Sequence, residues 1–227
     1  MIQKGDFIEI DFTARVKSSG VVFDTTIESE AKKHNIYVKD YVFKPMIVCV
    51  GEGQLVKQLD DFLIGKKLGK YSVDIPDAFG KKDAKLLRLI SIKEFHKHNI
   101  DPIPGLEVEL DSHRGVVRTV NGGRVIVDFN HPLASQEIVY DIDIKRIVED
   151  DSEKIKGILD FLKFPYKNVE IDNNQAIIYT DIDLEMNQLI SEEIQRLTKI
   201  KEITFRKDKK EKENITSKEK DSEKNNA

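Results

Sequence analysis

Along this 227-residue chain the spacing of apolar side chains changes period at the acidic break Glu149-Asp150-Asp151, and that change bounds the fold. Before the break, residues 7–12, 71–75 and 140–148 alternate in polarity, as half-buried strands do. Residues 46–50 form a compact apolar run that stops at Gly51-Glu52-Gly53. Asn121-Gly122 sits between apolar runs, a strong hairpin signal, and 125–129 is the returning strand. Two stretches depart from this: 27–44 reads as a short helix plus loop, and Val56, Leu59, Phe62 and Leu63 recur at helical spacing before Gly65. After the break, Ile155, Ile158, Leu159 and Leu162 predict an amphipathic helix ended by Pro165. Residues 169–171 and 176–179 flank a turn at Asp172-Asn173-Asn174, Met186, Ile190, Ile194 and Leu197 share one helix face, and 203–205 closes the unit as a strand. The class is α+β, strand-rich first and mixed afterwards.

The chain is long enough for two or three small cores. Of its residues 39% are apolar and 34% charged, and part of that charge sits in 207–227, which carries a single isoleucine. That tail cannot bury enough to offset its ordering and is expected to be disordered, a solvating tether. With 37 basic and 41 acidic residues, no global field invites nucleic acid or an anionic membrane surface. Cys49 is the only cysteine, so no internal disulfide is possible, which fits a reducing compartment. The residues from Met1 to Asp6 lack the apolar run of a signal peptide, and no stretch is long enough to span a bilayer, so a cytoplasmic protein is expected. His96 and His98 form an H-x-H pair that reads as solvated, the tail carries neither His nor Cys, and no metal or cofactor is expected.

No nucleophile-base pair and no phosphate-cradling glycine loop stands out; Gly51-Glu52-Gly53 lacks the residues either phosphate motif needs. What does stand out is a series of segments in order: Phe12 at the end of an alternating strand, Phe23-Asp24-Thr25-Thr26, Val50-Gly51-Glu52-Gly53-Gln54-Leu55-Val56, and Ile75-Pro76-Asp77-Ala78-Phe79-Gly80. Together they resemble the pocket motifs of the FKBP-type peptidyl-prolyl cis/trans isomerases. After Gly80 about fifty residues intervene before Tyr140-Asp141-Ile142 restores the last strand. Such an insert resembles the SlyD-like branch, and Val125-Ile126-Val127-Asp128-Phe129-Asn130-His131-Pro132-Leu133-Ala134 is similar to the end of that branch's inserted domain. Residues 151–206 resemble, by layout, the C-terminal module of long archaeal members.

The resemblance implies an FKBP-type antiparallel sheet wrapped on a short helix (1–86 plus 138–150), a small β-rich chaperone-like domain inserted in the flap (87–137), a C-terminal α+β module (151–206) and the tail (207–227). Carried over by position, it implies that Asp24, Phe23, Phe12, Phe79 and Tyr140 carry catalysis while Met46, Leu55, Val56 and Leu59 bind substrate. The implied activity is rotation of X-Pro bonds, without cofactor or metal, in unfolded or proline-containing polypeptides, together with chaperone activity. A homodimer through the C-terminal module is a further expectation. The sequence departs from the family pattern at Lys57-Gln58-Leu59, where a glycine and an aromatic floor are usual, and at Phe79, which lacks a tyrosine hydroxyl. These departures motivate an alternative: a holdase or scaffold with weak or no isomerase activity.

Overall fold

The structure is a computed structural model that describes residues 1–110, 112–182 and 187–207. Met186, expected on a helix face, and the tail from 208 onward lie outside the described residues. In chain order the elements begin β1 (Phe7–Val16), β2 (Val22–Thr25), α1 (Glu28–Lys33), β3 (Met46–Cys49), α2 (Lys57–Leu63) and β4 (Gly69–Ile75). Next come β5 (Leu87–Ser91), α3 (Ile92–Lys97), β6 (Glu107–Leu110), β7 (His113–Asn121), β8 (Arg124–Asp128) and β9 (Ile138–Ile147). The chain ends with α4 (Asp151–Phe161), β10 (Asn168–Asp172), β11 (Gln175–Tyr179), α5 (Asn187–Leu197) and β12 (Glu202–Arg206). The fold is α+β with mainly antiparallel sheets, as the apolar periodicity predicts.

Among the described residues one sheet runs in the order β2-β1-β9-β4, with β3 also on β1. The chain divides into two compact units. The first unit comprises Met1–Thr13, Asp24–Ser72 and Asp141–Ala227. In it β1 and β3 pair antiparallel, Phe7 opposite Cys49 and Ile10 opposite Met46. Ile8 and Ile10 alternate onto one buried face of β1, and Phe7, on the opposite face, is buried as well. Phe7 and Cys49 join a core built mostly from the C-terminal residues: Ile155, Ile158 and Leu159 of α4, Ile178 of β11, and Ile190 and Ile194 of α5. Each such side chain removed from water contributes about 1.5–3 kcal/mol. The acidic break has a local cause. Asp150 is the N-cap of α4, its carboxylate accepting the Glu153 N–H at 2.9 Å, a contact worth about 1 kcal/mol. Gly157 then lets α4 lie directly on β3, because a Cβ there would stand 2.7 Å from Ile47 Cγ2. Antiparallel β10 and β11 are followed by β12, parallel to β11 and reached through α5.

The second unit, Ala14–Phe23 with Val73–Tyr140, holds a four-stranded sheet in the order β5-β8-β7-β6. Its hairpin between β7 and β8 turns through Gly122 and Gly123, both at positive φ (53° and 76°), with Asn121 opposite Arg124. The turn therefore sits one residue beyond the Asn121-Gly122 pair that the sequence marks, since both central residues must be left-handed and two adjacent glycines meet that at least cost. Gly115 on β7 is required for packing: a Cβ would come within 2.8 Å of Phe129 and Val127. A short helix that periodicity does not announce, α3, is capped by the Ser91 hydroxyl and buries Phe95 among Val108, Val117, Val125 and Val127.

Candidate active site

In the first unit β1 presents Phe12 and the end of β2 presents Asp24, and small buried hydroxyls lock the two strands together. Phe12 N–H donates to Thr26 Oγ1 at 2.9 Å, and the Thr25 hydroxyl donates to the Phe12 carbonyl at 2.8 Å. Thr26 in turn donates to Asp11 at 2.8 Å. Both threonines are buried, so the hydroxyl pair after Asp24 clips the strands and fixes where that carboxyl points. Phe12, Asp24 and Met46 line one cleft of about 450 Å³. Burial raises the Asp24 carboxyl above its ordinary pKa, opposed by the Thr25 backbone N–H. More than a third of the residue still meets solvent, which keeps that effect moderate.

Leu55, Val56 and Leu59 do not line this cleft. Leu55 and Val56 are half-buried in the loop entering α2, and Leu59 is fully buried on the helix. Their loop is held by a residue the sequence reading passed over. The buried Asp60 carboxylate accepts N–H bonds from Gly51 at 2.6 Å and Gly53 at 3.0 Å. Gly51 and Gly53 stand at φ +81° and +75°, so the Gly-x-Gly spacing is a left-handed turn wrapped on Asp60. Beside it, the Gln54 side chain accepts the Cys49 N–H at 2.7 Å. The Cys49 thiol itself is pushed up to about 11, chiefly by burial and then by Glu52, which leaves it an inert core residue.

In the second unit Phe23 and Phe79 meet edge to face, centroids 5.8 Å apart, and Tyr140 on β9 is buried. Phe79 also stacks on the His131 ring, centroids 4.7 Å apart and planes 9° from parallel. Phe79 is thus held by two rings. The His131 partner lies 52 positions away in sequence, just after β8. The end of β8 and the residues after it are themselves clamped. Asn130 accepts the Asp83 N–H at 2.7 Å and donates to the Asp83 carbonyl at 3.1 Å, while Asp128 accepts from Asn130 and from Arg118. Burial pushes the Asp128 carboxyl up, but the Asn130 and Arg118 donors outweigh it and hold the pKa below its ordinary value. Among the described residues no three His, Cys, Asp or Glu side chains gather as a metal site would require, and no helix is long and apolar enough to cross a membrane.

Comparison with known proteins identifies the family. A family model described as the FKBP26 IF domain matches residues 88–133, the span of the β5–β8 sheet. The chain is 30% identical over 156 residues to the short-type peptidyl-prolyl cis-trans isomerase of Methanocaldococcus jannaschii, covering 67% of this chain and 98% of that relative. It is 32% identical over 111 residues to the FKBP-type 16 kDa peptidyl-prolyl cis-trans isomerase of Escherichia coli K12, covering 46% of this chain and 74% of the relative. A probable isomerase of the same type from Pseudomonas fluorescens is 32% identical over 108 residues, 44% of this chain and 71% of the relative. With an α+β fold and a relative matched at 30% identity over 98% of its length, the chain belongs to the FKBP-type peptidyl-prolyl cis/trans isomerases.

Proposed function

We propose that this isomerase is also a folding helper, holding unfolded polypeptide on its inserted domain while X-Pro bonds are rotated, with Phe12, Phe23, Asp24, Phe79 and Tyr140 as the residues that serve catalysis. Amide resonance gives a peptide bond a barrier of about 18–20 kcal/mol, and X-Pro exchange unaided takes tens to hundreds of seconds. Resonance also makes the planar amide more dipolar than the twisted one. Apolar walls therefore disfavour the planar state more and lower the barrier, without proton transfer or covalent chemistry. Each tenfold of acceleration needs only about 1.4 kcal/mol. Asp24 orients its neighbours and biases the twisted amide electrostatically, without changing its protonation. Leu55, Val56 and Leu59 support the substrate side together with Met46. The work is done in a reducing cytoplasm, where a lone buried thiol is ordinary.

The observation that carries the holding role is the outer face of the insert. On β8 burial alternates, Val125 and Val127 inward and Ile126 outward. Leu89 lies opposite Ile126, and with Leu87 it leaves an exposed apolar strip on an edge strand. Such strips mark sites for other chains. Replacing Leu87, Leu89 and Ile126 by serine in the full chain is expected to abolish suppression of aggregation of a denatured client while proline-tetrapeptide turnover persists. Undiminished suppression would refute the holding role.

A further inference from the structure

The cleft that holds Phe12, Asp24 and Met46 has a second wall, made by one stripe of α4: Glu153, Lys156, Gly157 and Asp160 recur at steps of three and four, with Phe161 beside them. The opposite stripe, Ile155, Ile158 and Leu159, is core, and Gly157 is pinned on Ile47, so this wall is fixed in place. Its charges are sorted. Lys44 pairs with Asp160 at 2.6 Å, and Arg146 pairs with Glu9 and, at 2.7 Å, with Glu153. The Lys156 side chain, also lining the cleft, makes no direct salt bridge or hydrogen bond among the described residues, although its charge acts on the nearby Asp150 and Glu153 carboxylates. Around it stand apolar groups left open to water: Phe161 is 37% exposed and Tyr41 59%, and Val42 is 71% exposed.

We infer that this wall is a substrate subsite: the cleft receives the polypeptide flanking the isomerised bond, preferring a segment that sets an acidic side chain on Lys156 and apolar side chains on Phe161 and Tyr41. Two features of the cleft favour that occupant. It is continuous with Phe12 and Asp24, so a chain bound at the isomerase site runs along it. Lys44 and Arg146 are already held in direct salt bridges, which leaves the Lys156 ammonium as the lining cation with donors to offer a single carboxylate. The inference rests on the assignment of Phe12 and Asp24 to the isomerase site.

The test compares turnover by the full chain of one Ala-Leu-Pro-Phe core, either bare or extended on each side in turn by Glu-Glu, Gln-Gln or Lys-Lys. The expected wild-type preference for Glu over Lys extensions is about three- to fivefold in kcat/KM, carried by KM and shrinking with salt. Lys156→Gln brings the ratio near one and Lys156→Glu inverts it, both leaving the bare tetrapeptide rate and the melting temperature unchanged. Phe161→Ser lowers turnover of every extended peptide relative to the bare one. Bare-peptide turnover that ignores Asp24→Leu would overturn the site assignment and this inference together. Turnover that depends on Asp24 but is blind to the extensions, or a preference unmoved by Lys156→Glu, would overturn the subsite alone.

Discussion

The segment after Glu149 and the segment matching the IF domain are of similar size, and each combines a small sheet with helices, yet they treat apolar surface in opposite ways. The C-terminal segment shares a cluster of thirteen buried residues with Phe7 and Cys49, drawing α4 so close to β3 that Gly157 has no room for a side chain. The insert has a cluster of only five buried residues and leaves Leu87, Leu89 and Ile126 facing water. Apolar area that would stabilise a packed domain by about 25 cal/mol per Å² is left unused for that purpose. One module thus spends its apolar surface on the core it shares with Phe7 and Cys49, whereas the other leaves part of its apolar surface exposed, the strip proposed above to hold another chain.

That contrast can be broken most forcefully at Gly157. Gly157→Val is expected to cost about 3 kcal/mol, because α4 must lift from Ile47; urea unfolding reads it, while hydrogen exchange in the β7–β8 hairpin stays as in wild type. Equal loss of protection in both places would mean that the two regions stand or fall together. Next in size, Asp128→Ala leaves Asn130 and Arg118 donors unmet and is expected to destabilise the insert by about 2 kcal/mol, visible as faster exchange in β5 and β8. The pH dependence has a definite sign. The Asp128 pKa is depressed from 3.8 in the folded state, so its stabilisation is complete above that value and is lost as pH falls through the folded pKa. Asp128→Ala should therefore flatten the acid loss of insert protection below about pH 4.

Smaller in energy is Asp24→Leu, which should slow tetrapeptide isomerisation about tenfold, or about 1.4 kcal/mol of barrier. Since burial raises the Asp24 pKa, the anion does not stabilise the fold, and the melting temperature should not fall. The smallest effect on stability belongs to Leu89→Ser. With Leu89 60% exposed, it should shift unfolding by less than about 0.5 kcal/mol, while client holding measured by light scattering falls. A large stability loss there would show that the strip is structural and would erase the contrast between the modules.

How far the sequence disclosed this molecule depends on how local each cause is. The strands from 7 to 148, the helix after the acidic break and the β10–β11 hairpin rest on period and turn chemistry, which neighbouring residues carry. By contrast α3 escapes, because six residues hold one buried side chain, Phe95, and show no period. Its available signal was the capping pattern Ser91-x-x-Glu94. In the site, Phe12, Asp24 and Met46 were named by motif and share a cleft, whereas Leu55, Val56 and Leu59 were named with them and do not line it. Asp60 on the Gly51 turn, His131 on Phe79 and the α4 wall were not legible, since each depends on a contact made across sequence by the finished fold.

The division of labour between rotating a proline bond and holding its owner is tested most directly by proline-limited refolding of a denatured protein, run beside the tetrapeptide assay with residues 87–137 replaced by a short turn. Most of the refolding acceleration should vanish while tetrapeptide turnover remains, because only the long client uses a second anchor to raise its effective concentration at the pocket. Refolding that stays as fast, or both activities falling in equal measure, would contradict it.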